Sequence, residues 1–67
     1  MLKIKVINVT FSKQSDINLQ FKPCTGDVLP INYQNEKVTS VVIITPFMVN
    51  NYKELKLTLY DLLVYTA

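Results

Sequence analysis

The chain has no histidine and no arginine, and only one cysteine, one glycine and one alanine. Each shortage excludes something. Histidine is the usual proton carrier near neutral pH, so acid–base catalysis lacks its commonest agent. A Cys/His zinc centre cannot be assembled, and with Cys24 alone no intrachain disulfide can close. A single glycine cannot make a phosphate-cradling loop. Without arginine, bidentate readout of bases or phosphates is absent, and the seven lysines offer only point charges. The net charge of +2 is mildly basic and does not by itself define a polyanion partner. No apolar run approaches the roughly 18 residues of a membrane span. Lys3 and Lys5 interrupt the first apolar stretch, so it does not read as a signal peptide. The expectation is a cytoplasmic protein without a membrane association, in a compartment where one free thiol is ordinary.

What is present points to sheet. Ile, Val and Thr contribute twenty of the 67 residues. Their branched side chains fit a pleated surface better than a helix. Hydrophobic residues make up 49% and charged residues 18%, which is a globular balance. The chain is short enough to be one domain, residues 1–67, and a domain of this size buries only about 60% of its unfolded surface. Having neither a disulfide nor a metal to staple it, it is expected to form a homo-oligomer or to rest on a partner.

Along the chain, Leu2, Ile4 and Val6 alternate with Lys3 and Lys5 as in a half-buried strand. From Ile7 the phase switches, which predicts burial on both faces or a bulge within a strand over 2–11. Residues 12–16 read as a polar turn. Ile17, Leu19 and Phe21 alternate with polar residues over a strand at 17–22. Pro23 and Gly26 interrupt pairing, with Gly26 suited to a positive φ. Residues 28–33 read as a short strand that Pro30 confines to an edge, and residues 34–36 as a hairpin tip. Residues 37–45 are the strongest strand signal, with no polar face in their second half, and belong in the interior of a sheet ended by Pro46. Residues 50–66 fit two patterns. As strands, Leu55, Leu57 and Leu59 alternate with Lys56, Thr58 and Tyr60, with a bend at Asp61. As a helix starting at an Asn51 cap, Tyr52, Leu55, Leu59, Leu62 and Leu63 share a stripe. The predicted fold is all-β, a small antiparallel barrel or sandwich of about five short strands. The alternative is α+β, with a C-terminal helix over 52–65.

The chemistry-bearing residues are few. Asp16, Asp27, Glu36, Glu54 and Asp61 are isolated, without a paired-carboxylate motif, and read as solvated turn or cap residues. Cys24 has no histidine to activate it and reads as inert. The pattern therefore predicts no enzyme and no cofactor or metal. Lysines beside aromatics remain. Single-strand binders combine a cationic surface with aromatic platforms, and small β-barrels often carry both. The predicted contacts are Lys3, Lys5, Lys13, Lys22 and Lys37, with Tyr33 as the stacking platform. If the first two strands pair, Lys3, Lys5 and Lys22 are expected to form one stripe. Phe11 and Phe21 fall on apolar faces and are expected in the core.

The order of features resembles the short YdcP-like accessory proteins of Gram-positive integrative conjugative elements. The resemblance lies in the opening Leu2-Lys3 strand, in Leu19-Gln20-Phe21, and in Val42-Ile43-Ile44 leading to Pro46. It continues through Asn51-Tyr52 into Leu57-Thr58-Leu59-Tyr60-Asp61-Leu62-Leu63-Val64-Tyr65-Thr66. Where that family tends to carry an Asn-Pro or Lys-Pro turn, this chain has Asp61-Leu62. The match is one of hydrophobic pattern and carries no binding residue across. It implies a β-strand core and a role in helping a helicase or relaxosome during element replication, through single-stranded DNA. The leading expectation is a non-enzymatic accessory protein of a mobile element or phage that binds single-stranded nucleic acid weakly and without sequence preference. The rival expectation is a protein-binding inhibitor or adaptor, or an oligomeric structural subunit.

Overall fold

In the computed structural model, which describes residues 1–67, five strands form one mixed sheet curled into a half-barrel. The strands are β1 (Leu2–Asn8), β2 (Lys13–Leu19), β3 (Val28–Ile31), β4 (Gln34–Ile43) and β5 (Leu62–Thr66). Their spatial order is β2-β1-β5-β4-β3. All neighbours pair antiparallel except β1 and β5, which run parallel. The predicted small all-β, barrel-like class is therefore the observed one, with one parallel pair in place of a wholly antiparallel sheet.

Alternation explains which face is inside. Ile4 stands opposite Ile17 on one side and Leu62 on the other, and Val6 stands opposite Val64. With Val38, Leu29 and Ile31 these residues line the concave face as one buried cluster, flanked by Leu2, Ile17, Leu19 and Val41. Each fully buried aliphatic side chain contributes on the order of 1.5–3 kcal/mol. The opposite face of β5 buries Leu63, which lies outside that cluster, as does the buried Leu57.

Several predicted boundaries move, each for a local reason. β1 stops at Asn8 because the Asn8 side chain turns the chain. Its Oδ1 accepts the Thr10 and Phe11 amides at 2.9 and 3.0 Å, and Ser12 follows with φ 53°. β2 therefore begins at Lys13, so the expected polar turn at 12–16 is mostly strand. The β1–β2 register is unbroken, so the phase switch at Ile7 reflects a half-buried outer face and not a bulge. Phe11 and Phe21 lie in the turn and beyond β2, and both are exposed rather than in the core. Pro30 does lie on an edge strand, β3. The hairpin tip is Asn32-Tyr33, both left-handed at φ 51° and 68°, and not residues 34–36. Glu36 is consequently on the core side, buried, and its Oε1 accepts the Thr66 hydroxyl.

The C-terminal third matches neither pattern throughout. Pro46 does not simply stop the chain. It occupies the first turn of a short helix, α1 (Pro46–Asn51), whose cap Thr45 accepts the Met48 amide at 3.3 Å. Two single 3₁₀ turns follow, Lys53–Leu55 and Leu57–Leu59, separated by Lys56 at φ 51°. The alternative helix over 52–65 is absent because a left-handed residue breaks it and Leu62–Thr66 pairs on both sides as β5. The expected bend at Asp61 is present.

Candidate nucleic-acid interface

The strand register defines one end of the half-barrel. β1 and β5 finish together, with Asn8 beside Thr66, and Lys13 opens β2 opposite Asn8. Val38 stands opposite Thr66, so the β3–β4 hairpin projects past this same end. The hairpin does not wave free. Asn32 Nδ2 donates to Ser15 Oγ at 2.8 Å, from the tip of one edge hairpin to the opposite edge strand. This bond ties the two margins of the curled sheet together.

Ser15 and Lys13 lie on one face of β2, about 7 Å apart at ordinary strand rise. Tyr33, next to Asn32, is fully exposed. Lys13 Nζ stands 5.9 Å from the centroid of the exposed Phe11 ring. The end of the half-barrel thus gathers two uncovered aromatic rings and a lysine with no carboxylate partner. Lys37, exposed on β4 four positions from Tyr33, lies at the same end but on the outer face of the strand, away from the buried Glu36 and Val38. Its backbone exchanges bonds with Ala67, which fixes that stretch of β4.

The other expected contacts do not join this group. Lys5 stands opposite Asp16 across the β1–β2 pair, and its Nζ forms the chain's one ion pair with Asp16 Oδ1, at 3.3 Å. Its side chain is only 12% exposed and also lies 5.3 Å from the Tyr60 ring centroid. A lysine so neutralised and covered is a structural residue, unlike the free contact expected of it. The Tyr60 phenol beside it is raised above its ordinary 10.0, first by burial and then by the adjacent Asp16, with the Lys5 charge opposing. Lys3 is exposed near the far end of β1, and Lys22 lies three residues beyond the end of β2. β1 and β2 do pair, yet Asp16 interrupts the expected Lys3–Lys5–Lys22 stripe.

Two parts of this end escaped the sequence reading. Phe11 fell into the apolar phase of Ile7 and Val9, and nothing in the alternation marks the turn that exposes it. Asn32 was legible in principle, because asparagine tolerates the left-handed turn position better than most residues. Cys24 is exposed, with its amide bonded to Asp27 Oδ2 at 2.8 Å. No group of three or more Cys, Asp or Glu side chains is placed to hold a metal ion, and no helix is long and apolar enough to cross a membrane.

No family model, no curated protein and no solved structure matches this chain. The fold class is thus defined by the sheet itself.

Proposed function

We propose that the chain is a small non-enzymatic accessory protein that binds single-stranded nucleic acid weakly and without sequence preference. The single observation that carries this reading is the tethered hairpin tip. The Asn32–Ser15 bond holds the exposed Tyr33 at the end of the half-barrel that also presents Phe11, Lys13 and Lys37. Every base has a face to stack on, and each aromatic contact is worth about 1–3 kcal/mol. The lysines act on phosphates as point charges and supply no sequence readout. A role in a mobile element or phage is supported by the resemblance in hydrophobic pattern alone, and a cytoplasmic location by the single free thiol of Cys24.

Fluorescence anisotropy with a labelled oligothymidylate tests this reading. Two phosphate contacts give a log–log salt slope of about −1.4 for a single strand. Binding should be saturable at low salt and lost at moderate salt. No binding at low salt refutes the proposal.

A second reading rests on a different observation. Ile43 and Phe47 are 64% and 74% exposed, and no strand pairs with the outer edge of β2. Exposed apolar side chains and an open sheet edge favour self-association or a protein partner. Sedimentation equilibrium at micromolar concentration should then show a dimer or larger species. A folded monomer at that concentration argues against self-association.

A further inference from the structure

The region after α1 contains an open hollow of about 280 Å³ that belongs to neither reading above. Val49, Leu57 and Leu59 give it apolar lining, while Lys53, Lys56 and Thr58 give it polar lining. Small-molecule sites occupy roughly 300–1,000 Å³, and this space lies just below that range, which limits it to a small ligand. The two lysines are exposed and form no ion pair, although Glu54 lies between them in sequence. The one ion pair in the chain is Lys5–Asp16. Lys56 lies in the left-handed region, at φ 51°, where the two 3₁₀ turns meet. Both lysines lie on the lining of this one hollow.

We infer that this hollow binds a small amphipathic anion: a singly or doubly charged head with a short apolar body. The head is met by the Lys53 and Lys56 ammonium groups, with the Thr58 hydroxyl able to donate to it. The body lies on Val49, Leu57 and Leu59. Leu57 is fully buried and gives the apolar side a fixed floor, while Leu59 is exposed and free to cover the ligand. Neither half of the lining suffices alone. Exposed lysines hold a bare anion weakly, and an open apolar patch of three side chains holds a neutral chain weakly.

Octanoate, octyl phosphate, octanol and inorganic phosphate, titrated separately into ¹⁵N-labelled protein, test this inference. Octanoate or octyl phosphate should shift the amides of residues 49–59 saturably and leave the Phe11–Tyr33 end unmoved. Which of the two binds more tightly identifies the head as carboxylate or phosphate. Octanol and inorganic phosphate should each bind more weakly than the preferred amphiphile, by about fivefold or more. Lys53→Gln combined with Lys56→Asn should weaken the amphiphile by a similar factor, about fivefold. Asparagine tolerates the left-handed position, so this variant keeps the turn. Leu59→Ser should weaken binding without touching the charges. Octanol binding as well as the anions, shifts spread over the whole chain, or no saturable shift with either amphiphile would each overturn the inference.

Discussion

Lys3 and Asp61 hold each other through one backbone–backbone bond and one bond from the Lys3 amide to the Asp61 carboxylate. Asp61 Oδ2 accepts the Lys3 amide at 2.8 Å, and the Lys3 carbonyl accepts the Asp61 amide at 2.7 Å. The pair lies one residue ahead of the Ile4–Leu62 match and so starts the parallel β1–β5 ladder. Because β5 lies between β1 and β4, this contact positions the strand that unites the two halves of the sheet. Asp61→Ala should destabilise the fold by about 1–2 kcal/mol. Each kcal/mol corresponds to roughly 4–8 °C in the midpoint of a small domain, read by thermal denaturation. Asp61→Asn keeps an acceptor and should retain most of the stability.

Thr66 and Glu36 form a buried pair between β5 and β4. Thr66→Val removes the hydroxyl and leaves a buried carboxylate short of a donor, at a cost of about 1–3 kcal/mol. Thr66→Val with Glu36→Leu removes both partners and should recover much of that loss. Chemical denaturation of the single and double variants measures the coupling. Equal destabilisation by the double and single variants would show that the bond matters less than the packing.

Tyr33 trades stability for exposure. Its left-handed φ of 68° costs an L-residue about 1–2 kcal/mol, and its side chain returns nothing to the core. Tyr33→Gly should leave the fold as stable as before or more stable by up to about 1 kcal/mol, since glycine's extra freedom when unfolded offsets part of the relief. The same variant should lose the stacking share of nucleic-acid binding, about 1–3 kcal/mol. Opposite signs in the denaturation and anisotropy experiments are expected. Unchanged binding would remove Tyr33 from the interface.

Tyr60 supplies a pH signature. Its folded value is raised above 10.0, so the folded state keeps that proton more tightly than the unfolded chain. The associated stability is fully present below pH 10 and falls as pH rises through the folded value. An ultraviolet titration should show a tyrosine step above the ordinary value that belongs to Tyr60. Tyr60→Phe should remove that raised step. A titration unchanged by Tyr60→Phe above the ordinary value would contradict the environment described for Tyr60.

The concave face was legible because alternation over Leu2–Val6 and over Ile17–Leu19 survives intact in β1 and β2. Pro30 at an edge and Gly26 at positive φ, 96°, were legible from backbone chemistry. The Asn8 turn was not, because its cause is one side chain bonding two amides inside an otherwise apolar run. Residues 52–65 resisted because their spacing suits helix and strand alike, and tertiary pairing of Leu62–Thr66 decided the matter. At the candidate interface, lysine and tyrosine content was visible in the sequence. Which lysines remain free was not, because Lys5 is neutralised by a residue eleven positions away across a hairpin.

The central claim is that binding belongs to one end of the half-barrel and not to net charge. Two double variants separate these. Lys13→Gln with Lys37→Gln, and Lys3→Gln with Lys22→Gln, each remove two charges from a chain of net charge +2. Oligothymidylate affinity is measured for both across a salt series. At low salt the first variant should lose most binding, and its log–log slope should fall by about 1.4. The second should retain the wild-type slope and affinity within about twofold, as expected for charges away from the contact. Equal losses in the two variants would contradict the account.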